Sequence, residues 1–420
     1  MSCWSHVSWP IIGPVQGLTV IVCLVALSRV LLIAQSPASP GALTLDAAIE
    51  RALAANPAIA AARLTRPIHI AGLRVAGERP NPEVNAEIEK ETPKQSFGVA
   101  VPFELGGKRA KRLAVGEATL RAADAELASI TAQVRNDVRR AYFDVLVAER
   151  RLTVLGELRD LSARARDAAR TRFESGDVPR LEALQADLAF NTAITEATSA
   201  EGAVTAARAR FDVLLGQPSG SGQPLSTPLD AGVPIVTAEM LQLAHTQSTE
   251  LAALDRRIDE ERARFDLSRA LRAPDVVAGA TLTHDAEPEF TYGWRAAVSM
   301  TVPLFTTHAA GVAVEQATLA QLVAQRQATV ARIDGEVSAA AASAEAERLA
   351  YVRYRDSILP QAQQVEQLAQ DSYQLGQTGL AALLQALQAS RDVRLRALDA
   401  VSRYQSAVAD LERAIGAPLQ

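Results

Sequence analysis

The sequence is short of the residues that form disulfides, thiolate metal sites and aromatic cores. Its 420 residues include only two cysteines, Cys3 and Cys23. Both lie in a segment that export would remove, so we expect the mature chain to have no disulfide framework, thiolate metal site or cysteine nucleophile. Aromatic residues make up only 4% of the chain. A low aromatic content in a chain rich in Ala, Leu, Glu, Arg and Gln is typical of long helices and coiled coils.

Signals for catalysis and for nucleic-acid binding are also missing. The formal net charge is -5, whereas nucleic-acid binding needs a basic face. The sequence has no GxSxG, HExxH, Walker or CxxC motif, and no two of its five histidines lie three or four residues apart. A zinc site needs a tighter cluster of ligands. We therefore expect no enzyme activity, no cofactor, no metal site and no nucleic-acid partner.

The first residues have the layout of a secretory signal peptide. An apolar stretch from Leu18 to Ala34 is followed by small residues and prolines, which predicts export and a signal peptide over residues 1–38. A short membrane anchor is the alternative. No later stretch of 18 or more apolar residues follows, so the sequence predicts no transmembrane helix in the mature chain.

The chain contains the same pattern twice. The run "RFESGDVPRLEALQA" begins at Arg172, and "SYQLGQTGLAALLQA" begins 200 residues later, at Ser372. Self-similarity of this kind predicts two copies of one structural unit. We place the copies at 43–218 and 237–418, joined by a linker at 219–236.

Each copy has two stretches in which apolar residues occupy every second position. This alternation is the pattern of a strand with one apolar face. We expect strands at about 82–91, 95–104, 274–284 and 291–304. Strands of about ten alternating residues have the length that is needed to cross a bilayer.

The remainder of each copy has a helical pattern. Apolar residues recur every seven positions from Leu113 to Leu155, and a strict seven-residue repeat keeps an apolar seam against a partner helix. We expect long helical hairpins at about 107–215 and 309–415. Their turns are expected near Gly176 and Gly376, because glycine suits the left-handed conformation that commonly ends a helix.

A basic run opens the first long helix, at Lys108, Arg109, Lys111 and Arg112. A helix start next to a membrane-spanning strand lies near anionic headgroups. We therefore expect these side chains to be solvated rather than to form a binding site.

The order of elements resembles that of the TolC-like outer-membrane efflux proteins. Each copy has a helix, two strands, a very long helix, a glycine turn and a return helix. The resemblance is carried by "LTLDAAIERALAANPAI" from Leu43, "VPFELGGKR" from Val101, "LLGQP" from Leu214 and the two glycine turns. The tract "FELGGKRAKR" from Phe103 is similar to the outer-membrane subunits of cobalt–zinc–cadmium-type efflux systems.

The resemblance implies a mainly α fold with a membrane β-barrel. In the family, duplicated strand pairs from three chains form a twelve-stranded outer-membrane barrel, which continues into a periplasmic barrel of very long coiled-coil helices. Four strands could not close alone, because unpaired strand edges are costly in lipid and single-chain barrels begin at eight strands. We therefore expect a homotrimer in the cell outer membrane of a Gram-negative bacterium, spanning into the periplasm.

The resemblance also implies a function and partners. The chain would be the passive outer-membrane channel of a tripartite pump, working with a periplasmic adaptor protein and an inner-membrane resistance–nodulation–division pump. Its exported substrates would be divalent heavy-metal cations. A duct for type I protein secretion or for drug efflux is an alternative within the family. A periplasmic coiled-coil scaffold is an alternative of another class.

Three sets of candidate site residues follow from the resemblance and from the strand pattern. The turn and adaptor-docking residues, whose leucines are also expected to pack within the hairpins, are Gly176, Pro179, Leu181, Leu184, Gly376, Gly379, Leu380, Leu383 and Leu384. The candidates for a periplasmic constriction are Glu182, Gln185 and Gln385. The residues expected to face lipid are Phe97, Val99, Val101, Tyr292, Trp294, Val298, Met300 and Val302.

Overall fold

The computed structural model describes residues 42–220, 222–230, 236–286 and 288–419. The expected signal peptide, at 1–38, lies outside these residues, and so does part of the expected linker.

Three short helices precede the first strand: α1 (Leu45–Ala55), α2 (Pro57–Arg63) and α3 (Thr65–Ala76). Asn56 separates the first two helices, because its side chain accepts hydrogen bonds from backbone N–H groups in the first turn of α2. The Asn56 amide also donates to the Leu214 carbonyl at 2.8 Å. This bond ties the start of the first copy to its end.

Four antiparallel strands form one sheet in the order β1 (Glu83–Ile88), β2 (Gln95–Phe103), β3 (Asp275–Ala286) and β4 (Phe290–Thr301). Each copy contributes one adjacent pair of strands. β4 ends three residues before the expected boundary, because Pro303 has no N–H to continue the ladder. The sheet therefore joins the two copies through the pairing of β2 with β3.

The first hairpin consists of α4 (Lys108–Glu174) and α5 (Arg180–Leu214). α4 has 67 residues, which corresponds to about 100 Å at 1.5 Å per residue. The short helix α6 (Thr237–Gln247) and α7 (Thr249–Ala270) then lead into β3.

The second hairpin is interrupted, in contrast to the single descending helix that the sequence pattern suggested. α8 (Ala309–Arg353) is followed by a π turn (Tyr354–Ile358), α9 (Leu359–Gln374) and the return helix α10 (Leu380–Ile415). Pro360 explains the interruption: it has no N–H for the carbonyl one turn earlier, so the hydrogen-bond ladder must rearrange before it.

The helices form a layer in which α4 is central. The part of α4 nearest the sheet packs against α3 and α7, and the rest packs against α5 and α10. Ion pairs mark the two regions, Lys111 with Asp266 of α7 and Arg151 with Asp399 of α10. α8 packs on α7 and α10 from the other side. The layer therefore has α3 and α5 along one edge and α8 and α9 along the other.

Apolar clusters hold the layer together at intervals along its length. A cluster around Tyr142 joins α1, α4 and α5, and a cluster around Ile333 joins α6, α8 and α10. A third cluster, around Tyr373, joins α4, α5, α9 and α10 near the hairpin turns. The Tyr142 hydroxyl also donates to the Leu43 carbonyl at 2.7 Å and accepts from the Thr227 N–H at 3.0 Å. It thus fixes part of the linker to the first copy.

Candidate functional site: a sheet face and two hairpin turns

The sheet has one continuous apolar face. Residues that are paired directly across an antiparallel sheet point to the same side. Two such rows cross all four strands, Ala86–Phe97–Leu282–Trp294 and Val84–Val99–Ala280–Ala296. Trp294 is 79% exposed and the other large side chains of both rows are exposed as well. A surface of this kind is suited to contact with lipid acyl chains.

All eight residues that were expected to face lipid are exposed. Seven of them lie on this apolar face, and Val302 follows the end of β4. The same face also includes Val84, Ile88 and Leu282, which belong to the same alternating pattern in the sequence. Beyond β4, Phe305 is fully exposed, and no periodic signal in the sequence marks it.

The opposite face of the sheet is polar and has small side chains. One row consists of Asn85, Gly98, Thr281 and Arg295. A Cβ at Gly98 would lie only 2.2 Å from the Asn85 Oδ1 atom, so Gly98 leaves room for this polar side chain. A face of this composition is suited to line an aqueous lumen.

Ion pairs connect the sheet to the helices. The Lys108 ammonium lies 2.7 Å from an Asp275 carboxylate oxygen at the start of β3, and the whole Lys108 residue is only 6% exposed. Arg109 donates to the Gly77 carbonyl at 2.7 Å, and Arg112 pairs with Glu104. The expectation of a solvated basic run is therefore wrong for Lys108, which is buried against a carboxylate. Arg109 is exposed, as expected.

The two hairpin turns have the same backbone hydrogen bonds. Gly176 and Gly376 have φ values of 83° and 70°. The N–H after each glycine donates to the carbonyl five residues earlier, at 2.8 Å in the first turn and 2.9 Å in the second. This is the Schellman motif that ends helices at a left-handed residue. Pro179 and Gly379 then precede the first residues of α5 and α10.

The leucines that follow the turns differ between the copies. Leu380 and Leu383 are buried and Leu384 packs partly against the same cluster. In contrast, Leu181 is 63% exposed and Leu184 is 53% exposed. The expectation that all five pack within the hairpins is therefore wrong for the first copy. The reason is that α10 lies between α4 and α9, whereas α5 lies at the edge of the layer.

The candidate constriction residues lie in different surroundings. The Tyr373 hydroxyl donates to Glu182 Oε1 at 3.4 Å, so Glu182 links the first hairpin to the second. The Arg172 guanidinium lies 5.3 Å from the Tyr373 ring centroid. Burial, and then the neighbouring Glu182 carboxylate, raise the pKa of Tyr373. Gln185 and Gln385 are exposed and do not take part in this contact.

Within the described ranges, no group of three or more His, Cys, Asp and Glu side chains is arranged to hold a metal ion. None of the described helices is both long and apolar enough to cross a bilayer.

Comparison with known proteins agrees with this geometry. Residues 48–217 match the outer membrane efflux protein family. They form an outer membrane efflux protein domain. The resemblance that the sequence predicted is thereby confirmed, and the family to which this domain belongs consists of efflux proteins rather than enzymes.

The similarity extends well beyond this efflux domain. The chain is 26% identical over 386 residues to the cobalt-zinc-cadmium resistance protein CzcC of Cupriavidus metallidurans, covering 90% of each protein. Its fold matches crystal structures of CusC, with a TM-score of 0.71, 17% identity and coverage of 89% of this chain and 92% of CusC. It also matches the open state of the Neisseria gonorrhoeae MtrE outer membrane channel, with a TM-score of 0.74, 20% identity and coverage of 90% and 89%. The chain therefore has the fold of outer-membrane channels.

Proposed function

We propose that this efflux protein is the outer-membrane channel of a tripartite pump that exports divalent heavy-metal cations. The observation that carries the proposal is the similarity to CzcC, a cobalt-zinc-cadmium resistance protein, over 90% of both proteins. The sheet supplies a face suited to lipid and a face suited to water, and the helical layer continues from it. Such a protein moves substrate by providing a path, while a pump supplies energy and selects the cargo.

The unpaired edges of the sheet and of the helical layer support assembly of several chains into a closed ring. Within the described residues, β1 and β4 each have a strand partner on one side only. Unpaired strand edges are costly in lipid, so another chain must supply the missing partners. β1 follows α3 along the chain and β4 leads into α8, so each open sheet edge is connected to one edge of the helical layer.

The edges of the helical layer also carry exposed apolar side chains. On the first edge, the exposed residues include Leu64, Ile68 and Val75 near α3 and Leu181, Leu184 and Leu188 on α5. On the second edge, they include Val314 and Val323 on α8 and Val365, Leu368 and Leu375 around α9. If the first edge of one chain pairs with the second edge of the next chain, the contact joins two different surfaces. Contacts of this kind favour a cyclic assembly. We propose three copies, as in the TolC-like proteins, which gives a barrel of twelve strands.

The hairpin turns are proposed as the docking site of a periplasmic adaptor, which connects the channel to an inner-membrane pump. Three copies would present six turns with the same backbone geometry. Exposure of Leu181 and Leu184 beside the first turn supports this role. Replacing Gly176 and Gly376 separately with Trp should leave the trimer intact but reduce adaptor crosslinking and efflux. Normal crosslinking and efflux in both variants would place the docking site elsewhere.

A deletion strain tests the proposed substrate class. Loss of the gene should lower tolerance to one or more of cobalt, zinc, cadmium and nickel, and the wild-type gene should restore it. Dyes and secreted proteins serve as controls, because a drug-efflux or type I secretion duct would affect those instead. Unchanged tolerance to all four metals would contradict the metal assignment.

A further inference from the structure

Along the chain, α7 precedes the second strand pair and α8 follows it. The two helices contact each other. α7 ends just before β3, and α8 begins just after β4. The register of this antiparallel contact is given by three pairs, in order toward the sheet: Glu250 with Arg332 at 2.5 Å, Asp255 with Arg326 at 2.5 Å, and Ser268 beside Gly311. The first two are attractive ion pairs.

Two acids, one on each helix, lie in the stretch between the Asp255–Arg326 and Ser268–Gly311 contacts. The side chains of Glu261 on α7 and Glu315 on α8 lie within hydrogen-bonding reach, and Glu261 is only 7% exposed. If both groups are ionised, neither can donate a hydrogen bond. Glu261 Oε1 is then buried without a donor among the described residues. A single proton on the pair would satisfy this geometry.

Neighbouring bases already have acidic partners of their own. Arg264, the nearest base, pairs with Glu260 at 2.5 Å, and Glu260 also accepts from Thr119 of α4 at 2.9 Å. Farther along α7, Lys111 of α4 pairs with Asp266, and Arg257 pairs with Glu126 of α4. These bases are therefore shared with other acids, and Arg264 lowers the pKa of Glu261 less than burial and the Glu315 carboxyl raise it.

We propose that Glu261 and Glu315 share one proton, and that this proton makes the α7–α8 contact beside the second strand pair sensitive to pH. A hydrogen bond from a carboxylic acid to a carboxylate is short and strong. Loss of the proton replaces it with two like charges in a partly buried site. The helices that flank β3 and β4 are then held less firmly.

The direction of the pH effect follows from the environment of Glu261. Burial, followed by the Glu315 carboxyl, raises the pKa of Glu261 to about 7 from its ordinary value of 4.5. Because the folded state holds this proton more tightly than the unfolded chain, the stabilisation is complete below about pH 4.5. It is lost as the pH rises through about 7.

Thermal unfolding of the purified full-length protein in detergent tests the proposal between about pH 5 and about pH 8.5. The wild-type midpoint should fall across this range. Glu261→Gln and Glu315→Gln should each reduce the fall and should unfold at a higher temperature than the wild type at the alkaline end. Asp255→Asn is the matched control, because it breaks an attractive pair on the same contact. It should lower the midpoint throughout while keeping the wild-type pH dependence.

An infrared titration gives a direct readout that does not depend on the variants. The wild type should show a protonated-carboxyl band that disappears as the pH rises through about 7, and this band should be missing in Glu261→Gln. Absence of any such band in the wild type, or an unchanged pH dependence in both Gln variants, would overturn the proposal. So would a rise in the wild-type midpoint on adding Zn²⁺ at the alkaline end that both variants lose, because the pair would then be a cation site.

Discussion

At the residue scale, each hairpin turn depends on the backbone conformation of one glycine. An added Cβ at Gly176 or Gly376 would meet nothing within 4 Å. Replacement by Ala should therefore introduce no clash and cost only the left-handed penalty of about 1–2 kcal/mol. Denaturation midpoints measure this cost. Gly379→Ala is the control, because Gly379 has φ -79° and equally open surroundings. An equal loss in all three variants would show that positive φ does not set the cost.

The two faces of the sheet can be compared at adjacent alanines of β4. Ala296 is paired with Ala280 on the apolar face, and Ala297 is paired with Gly279 on the opposite face. Ala296→Arg should cost roughly 2–4 kcal/mol, because it places a charge in lipid near mid-strand. Ala297→Arg should cost about 0–1 kcal/mol, because its side chain would face the proposed aqueous lumen.

Folding titrations in lipid vesicles measure both alanine variants against the wild type. The two substitutions are chemically identical and lie one residue apart, so their difference reports the face alone. Equal destabilisation would contradict the assignment of the apolar face to lipid.

At the element scale, ion pairs of different burial join α4 to α10. Arg139 and Glu412 are 2.9 Å apart and both are buried, whereas Arg151 and Asp399 are about half exposed. Arg139→Ala should cost about 3–5 kcal/mol, because it removes the arginine that pairs with a buried carboxylate. Arg151→Ala should cost about 0–1 kcal/mol. Comparable losses in urea unfolding would mean that burial does not decide the strength of this contact.

The cost of Arg139→Ala should depend on pH. Burial raises the pKa of Glu412, and the Arg139 guanidinium opposes that rise. Without Arg139 the folded-state pKa rises further above that of the unfolded chain, so the Glu412 contribution is lost as the pH increases through the new value. The difference between the variant and the wild type should therefore be larger at about pH 8 than at about pH 5. A difference that is constant with pH would contradict the further rise in the pKa of Glu412 in the variant.

The helices and strands were easier to predict from the sequence than the elements against which each of them packs. Alternation identified the strands, and apolar residues every seven positions identified α4, because both patterns depend on local geometry. The heptad pattern does not say which surface covers a leucine. Leu181 and Leu380 occupy similar places after their turns, yet one is exposed and the other buried, because only α10 has helices on both sides. The π turn was missed, although Pro360 was a visible signal for it.

At the scale of the whole molecule, the two copies are similar in sequence but take different positions in the helical layer. The second copy supplies α10 between α4 and α9, while the first supplies α5 at an edge. A duplicated chain of this kind has two unlike sides. In the proposed ring, that difference would allow neighbouring chains to pair side to side, which identical sides would not allow.

The proposed ring predicts that apolar residues at the two edges are needed for assembly. Ile68 of α3 and Leu188 of α5 are both exposed on one edge. Replacing either with Asp should remove roughly 1.5–3 kcal/mol of apolar burial from each contact between chains. Ala128→Asp is the control, because Ala128 is also exposed but lies on the central helix α4. Native mass spectrometry of the detergent-extracted protein should show trimers for the wild type and the control, and a larger share of monomers for both edge variants.

A wild type that is a monodisperse, water-soluble monomer would exclude the channel and favour a periplasmic scaffold. Intact trimers in both edge variants would instead place the contact between chains on another surface.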